Sequence, residues 1–212
     1  HPGLHYISSS ADDVVSGHGP YRMLPAKTYF TLETGNDKFH SERGMPNVMT
    51  YESFLRTYSP EGIWPQSDEW GMHDYTLEGA QGATSFNEII AQGYGQPQSA
   101  KEFTELAQWV NYDGHRSLFE SRSKNRMGLL MWMSHPCWPS MVWQTYDYYF
   151  EPTAAYFGIK KACEPLHIQW NPATDEVEVV NYHAGTHTDL TAHVQVLNMD
   201  ASVAWEGEAK VN

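Results

Sequence analysis

One carboxylate stands near the end of a short apolar-polar alternation in Lys38-Phe39-His40-Ser41-Glu42-Arg43-Gly44-Met45-Pro46. Alternation puts Phe39 and Ser41 on one face of a strand and Lys38, His40 and Glu42 on the other, after which Gly44 and Pro46 turn the chain into a loop. Glu42 then sits at the strand's mouth, where a barrel strand delivers a catalytic carboxylate. A lone carboxylate carries no mechanism, and an exposed loop glutamate satisfies the same pattern, so the rest of the chain has to decide. A second stretch repeats the arrangement. The apolar run Gly128-Leu129-Leu130-Met131-Trp132-Met133 has the length of a parallel strand buried on both faces, and it ends in the turn-rich loop Ser134-His135-Pro136-Cys137-Trp138-Pro139-Ser140. Trp132 suits either a barrel core or the face of a ring-shaped ligand. Between these two stretches, Glu61 to Tyr75 reads as an irregular segment carrying Trp64, Trp70, His73, Asp74 and Tyr75, content typical of loops that line sites. The turn Gly17-His18-Gly19-Pro20-Tyr21 offers His18 to a ligand or to solvent.

These groups need elements to position them. His5 to Ser10 reads as a short strand, followed by a loop from Ala11 to Pro20. Tyr51, Phe54, Leu55 and Tyr58 fall at i, i+3, i+4, i+7, an amphipathic helix ended by Pro60. Ser85 with Glu88 opens a second helix, closed by Gly93 and Gly95. Ser99 with Glu102 opens a third, whose stripe Phe103, Leu106, Ala107, Val110, then Leu118 and Phe119, reads as core-facing packing. A further helix runs from about Pro152 to Ala162, with proline in its first turn. Beyond Pro165 the period changes to two: His167–Trp170 and Glu176–Asn181 flank a turn at 171–175, and Leu190–Leu197 and Ser202–Lys210 follow. This region reads as the start of an antiparallel β-sandwich. His183, His187 and His193 lie on it without a cysteine or carboxylate cluster at ligand spacing, so no metal and no cofactor is expected.

Composition narrows the partners. The chain has 212 residues, 41% hydrophobic and 14% aromatic, and its 26 acidic against 13 basic residues give a formal charge of −13. That charge argues against nucleic acid or an anionic membrane as partner, and no run reaches membrane-span length. Acidic chains rich in flat rings suit carbohydrate, because rings stack on apolar pyranose faces while carboxylates accept from hydroxyls. With only Cys137 and Cys163, no disulfide framework is implied. No signal peptide is read in this stretch, and any targeting sequence is expected upstream of it. The chain opens on His1-Pro2-Gly3 without an initiator methionine and closes just after a strand-like run, so it is expected to be a segment of a longer polypeptide. Its compartment is left open, with periplasmic or secreted favoured.

Taken together, Phe39-His40-Ser41-Glu42-Arg43-Gly44-Met45-Pro46, the run Leu130-Met131-Trp132-Met133, the loop Cys137-Trp138-Pro139-Ser140, Tyr146-Asp147-Tyr148-Tyr149, Ala155-Tyr156-Phe157-Gly158 and Lys160 to His167 resemble glycoside hydrolase family 2, in the branch of the exo-β-glucosaminidases and β-mannosidases. The likeness covers roughly residues 1 to 170. It implies an α/β architecture: residues 1–165 as the C-terminal half of a (β/α)8 TIM barrel, and 166–212 as the start of an immunoglobulin-like β-sandwich. It implies Glu42 as nucleophile of a retaining exo-β-glycosidase of β-mannosidase, β-glucosaminidase or β-galactosidase type, with the general acid/base upstream of residue 1. It further implies Trp132 as floor and Trp138 as wall of the sugar site, with His40, His135 and Trp70 as further substrate-binding candidates. His40 or Arg43, adjacent in sequence, are the candidates for holding Glu42 anionic. The partners implied are an oligosaccharide or glycoside substrate and the remainder of the same polypeptide. The tripeptide region before Trp138 departs from the glucosaminidase pattern, which leaves the sugar undecided. A non-catalytic carbohydrate-binding protein and a purely structural fragment are the competing readings. Strands alternating with capped helices favour the enzyme. Half a barrel exposes parallel-strand edges, so the segment alone is expected to be marginal or self-associating, and inactive.

Overall fold

The structure is a computed structural model that describes residues 2–19, 21–31, 38–75, 85–121 and 128–211. Its elements are α1 (Ala26–Thr31), β1 (Phe39–Arg43), α2 (Tyr51–Thr57), α3 (Asp68–Met72), α4 (Ser85–Tyr94), α5 (Ala100–Glu120), β2 (Gly128–Met131), α6 (Ala154–Ala162), β3 (Leu166–Asn171), β4 (Glu176–Asn181), β5 (Leu190–Leu197) and β6 (Val203–Val211). The chain is thus mixed α/β. β1 and β2 pair in parallel, and among the described residues the connection between them carries α2, α3, α4 and α5. β3–β4 and β5–β6 are two antiparallel hairpins.

Local chemistry accounts for most boundaries. Thr50 caps α2, its hydroxyl accepting from Ser53 N, and Ser99 caps α5, accepting from Glu102 N at 3.2 Å. The side chain of Ser85, expected to open α4, lies outside the described residues. α6 begins at Ala154, after the N-cap residue Thr153, rather than at Pro152. Thr153 makes no side-chain cap because its hydroxyl donates instead to Thr145 O at 2.9 Å. Within 61–75, expected to be irregular, Ser67 caps the short helix α3.

Two strands depart from expectation. His5 to Ser10 is not a strand, and Tyr6 is 83% exposed. Its serines serve local bonds instead: Ser8 Oγ donates to Asp12 Oδ2 at 2.6 Å and Ser9 Oγ accepts from Ala11 N at 3.3 Å. Pairing with β1 is made by the β-branched Val14 and Val15, through Phe39 N to Val14 O and Ser16 N to Phe39 O, both 2.8 Å. β2 ends at Met131, and it is not buried on both faces, since Leu130 is 53% exposed. Trp132 N still donates to Arg43 O at 2.8 Å, but Met133 N turns to Trp143 O at 2.6 Å, so the ladder changes partner at that point.

Two apolar cores meet on α5. The larger joins Phe54, Tyr58, Trp70, Tyr75, Phe86 and Phe103, and the smaller joins Tyr29, Met45, Leu118, Phe119 and Ala162. α5 also carries buried polar clamps for the loop that follows β1: Asn111 Oδ1 accepts from Val48 N at 3.1 Å and its Nδ2 donates to Pro46 O at 2.9 Å. At its far end Glu120 Oε1 lies 3.0 Å from Nε2 of the buried His167, tying β3 to the helix. The loop after Glu42 is therefore held by a rigid element across a long sequence separation.

Candidate functional site

Glu42 leaves β1 through an irregular register. His40 pairs with Leu129 and Arg43 with Met131, so three steps on β1 match two on β2. This extra residue resets the alternation. His40 and Arg43 both turn inward and are buried, while Glu42 stays partly exposed. The two inward residues meet each other, Arg43 Nε donating to His40 Nδ1 at 3.0 Å.

The donors to Glu42 come from elsewhere. Ser10 Oγ donates to Oε1 at 2.8 Å and Tyr21 OH to Oε2 at 2.7 Å. Both are neutral hydroxyls, one for each oxygen, a pairing that fixes the plane of the carboxylate. Ser41 Oγ donates to Ser10 O at 3.0 Å, which fastens the Ser10 segment to the same strand. Tyr21 is itself held: its ring packs 5.4 Å from Trp143, and Trp143 Nε1 donates to Tyr21 O at 3.2 Å. Burial first, then the bond to Glu42 and its charge, pushes the Tyr21 hydroxyl above the ordinary tyrosine range, so it remains a donor at any physiological pH. Gly17 closes the back of this cluster. A Cβ there would lie 2.3 Å from Ser10 O and 2.8 Å from Glu42 Oε1.

Besides Trp143, two tryptophans lie on the segment after β2. Trp132 is 40% and Trp138 42% exposed. Trp138 stacks on His73 at 6.1 Å, and His73 Nδ1 is 2.6 Å from Pro139 O, so the tip of this loop is braced by the α3 region. Gly44 permits close passage of the two strands' ends, since a Cβ on it would fall 1.9 Å from Trp132 O.

The remaining expected residues are placed differently. His40 is fully buried behind β1 and has no surface to offer a sugar, and the hydroxyl pair stands where His40 or Arg43 was expected beside Glu42. Trp70 is also fully buried, edge-on to Phe54, Tyr75 and Phe103, with its indole N–H donating to Gly62 O at 3.2 Å. It is core because it sits in the middle of a short helix facing the larger aromatic cluster. His135 stacks on Phe150 at 4.2 Å. His18 is exposed, and from its turn it is Tyr21 that reaches the carboxylate. Sequence reasoning missed Ser10, Gly17 and Tyr21. The glycine-rich turn was the available signal, but nothing local ties it to Glu42.

No family model matches the chain. It is 29% identical over 205 residues to an exo-β-D-glucosaminidase of Streptomyces avermitilis, covering 90% of this chain and 22% of that one. It is 28% identical over 202 residues to a mannosylglycoprotein endo-β-mannosidase of Lilium longiflorum, covering 87% and 21%. Among solved structures, the Amycolatopsis orientalis exo-chitosanase CsxA in complex with PNP-β-D-glucosamine superposes with a TM-score of 0.79 at 25% identity, over 92% of this chain and 25% of that one. The chain spans about a fifth of the length of the curated relatives it matches. Over most of its own length, the chain is homologous to the exo-β-glucosaminidases and β-mannosidases of glycoside hydrolase family 2.

Proposed function

We propose that this chain supplies the nucleophile side of a retaining exo-β-glycosidase acting on terminal β-linked mannosyl, glucosaminyl or galactosyl units. Residues 1–165 form the C-terminal half of a (β/α)8 barrel, and 166–212 belong to a β-sandwich domain. Support for the barrel comes from the parallel pair β1–β2 and the parallel bridge at Val15; support for the sandwich comes from the two facing hairpins. The observation that carries the function is the Glu42 carboxylate, anchored on both oxygens at the end of a parallel strand.

In this mechanism Glu42, ionised, attacks the anomeric carbon from the face opposite the leaving oxygen, and a covalent glycosyl-enzyme forms on it. Ser10 and Tyr21 hold the carboxylate in the attacking orientation and give up part of their bonding as charge moves onto the sugar. Trp132 forms the floor beneath the ring and Trp138 a wall, with His135 on the loop between them. A second carboxyl group about 5–5.5 Å away must protonate the leaving oxygen and later activate water. That group belongs to the remainder of a longer polypeptide, in keeping with the small share of each relative that the chain spans.

The test uses a polypeptide containing this chain and its missing partner. It is incubated with a panel of 2-fluoro glycosides and the label is mapped by peptide mass spectrometry. Labelling of Glu42 is expected, and the sugar that labels fastest names the specificity. Labelling of another residue would overturn the assignment, and no labelling by any sugar would favour glycan binding without cleavage. Residues 1–212 alone are expected to turn over no nitrophenyl glycoside, because proton donation contributes about 10²–10⁴-fold.

A further inference from the structure

A cleft of about 450 Å³ lies between the 61–67 turn, α4 and the start of α5, lined by Trp64, Gln66, Asn87, Glu88, Gln96 and Phe103 among others, and it shares no residue with the Glu42 cluster. Its size is that of a small-molecule site. Trp64 is braced from behind, its ring 6.3 Å from Trp70 and 6.1 Å from Phe103, so it is a fixed plate rather than a mobile side chain.

Beside it stands an amide pair with spare valences. Gln66 Nε2 donates to Asn87 Oδ1 at 2.8 Å, and Asn87 Nδ2 donates to Gln66 Oε1 at 2.9 Å, a reciprocal ring of two bonds. Tyr75 OH donates to the same Asn87 Oδ1 at 2.7 Å, filling that oxygen's second lone pair. Gln66 Nε2 gives its other N–H to Tyr75 OH at 3.4 Å, so among the described residues valence counting leaves one N–H on Asn87 and one lone pair on Gln66 Oε1. Their parent atoms are 2.9 Å apart, so a donor and an acceptor are offered side by side. Two neighbouring hydroxyls use them together, one accepting from the amide nitrogen and the next donating to the amide oxygen. An indole plate next to such a pair, with Glu88 on the same wall to accept from a further hydroxyl or an amine, matches one ligand chemistry: a ring with an apolar face and equatorial hydroxyls.

We infer that this cleft is a second, non-catalytic glycan-binding site that takes a single pyranoside unit, with the ring on Trp64 and two adjacent hydroxyls on the Gln66–Asn87 pair. The formal charge of −13 adds a preference for an amine-bearing sugar, with Glu88 as its nearest carboxylate. The site rests on the cleft itself and stands whether or not Glu42 is a nucleophile.

The test follows the assigned Trp64, Trp132 and Trp138 indole N–H signals by NMR in a Glu42→Gln variant of a polypeptide containing this chain and its missing partner, during titration with methyl β-D-glucoside and methyl β-D-glucosaminide up to about 50 mM, the range for a millimolar site. The Trp64 signal is expected to shift and saturate, with the glucosaminide binding more tightly. Asn87→Leu should weaken that curve about fivefold, the worth of one hydrogen bond, without moving the curves of Trp132 and Trp138. Glu88→Gln should remove the preference for the amine. Asn87 is on an exposed position of α4, so a preserved far-UV spectrum keeps the comparison valid; if that spectrum changes, Gln66→Ala replaces it. A Trp64 signal that does not move with either sugar would overturn the proposal, as would a curve that neither amide substitution weakens. Loss of the Trp132 and Trp138 responses alone would count against the catalytic reading and leave this one standing.

Discussion

Replacing Gly44 with alanine tests how the strand ends are fastened. The new Cβ would sit 1.9 Å from Trp132 O, whereas a carbon and a carbonyl oxygen in contact need about 3.3–3.6 Å, so one of the two must retreat by about 1.5 Å. Neither is free to do so. Gly44 is buried, and the residue that carries the offending carbonyl is pinned on both sides, by Trp132 N to Arg43 O at 2.8 Å and by Met133 N to Trp143 O at 2.6 Å. Losing those two bonds costs about 1–3 kcal/mol and the overpacking a further 1–3 kcal/mol, so a destabilisation of about 2–6 kcal/mol is expected. Against a total stability of about 5–15 kcal/mol for a folded domain, that is a large fraction. Urea unfolding followed by tryptophan fluorescence reads it as a lower midpoint at unchanged slope. A change below about 0.5 kcal/mol, the range of an ordinary surface substitution, would refute the close approach of Gly44 and Trp132.

Three further outcomes are expected. Gly93→Ala, in α4 with nothing within 4 Å of the added carbon, should stabilise the chain by about 0.5–1 kcal/mol in the same assay. Tyr21→Phe removes one of the two bonds that aim Glu42, and because that bond is already made in the free protein its worth of about 1.5–3 kcal/mol should appear as a lower urea midpoint, while kcat/KM of an active polypeptide containing this chain should fall by up to about 100-fold through misorientation of the carboxylate. Burial lowers His115 from 6.5 to about 4, so between those values the unfolded chain binds the extra proton and the folded chain does not. Stability should therefore fall as pH drops below about 6.5, by about 3 kcal/mol at pH 4 for this residue, and His115→Asn should remove that part of the slope.

The parts of the fold that could be read from the sequence are those whose signals are local. Period two marked β4 and β5 to the residue, because alternation is local to each strand and, for β4, the 171–175 turn lies within the same hairpin. The Ser99–Glu102 cap and its apolar stripe marked α5 for the same reason. The candidate site was legible only as Glu42, Trp132 and Trp138. Its partners Tyr21 and Ser10 lie 21 and 32 residues from Glu42, beyond any periodic signal. Trp70 follows the polar residues Ser67-Asp68-Glu69 and Trp132 ends an apolar run, the reverse of their burial, and only packing shows that the first is buried and the second exposed. His40 was misplaced beside Glu42 because strict alternation has no room for the extra residue in β1.

The hold on Glu42 also sets what counts as an armed molecule. Both donors, Ser10 and Tyr21, lie outside the two cores and are held to β1 and Trp143 by a pair of backbone bonds, a few side-chain bonds and one ring contact. Segments held outside a core open with free energies below that of global unfolding. A fraction of molecules can then have an intact core and an unaimed carboxylate at the same moment, and the observed rate scales with the fraction in which the segment is docked. Substitutions at Val14, Val15 or Ser41 would shrink that fraction while leaving core fluorescence unchanged. Amide exchange at Ser16 and Phe39 would register the loss that a melting curve passes over.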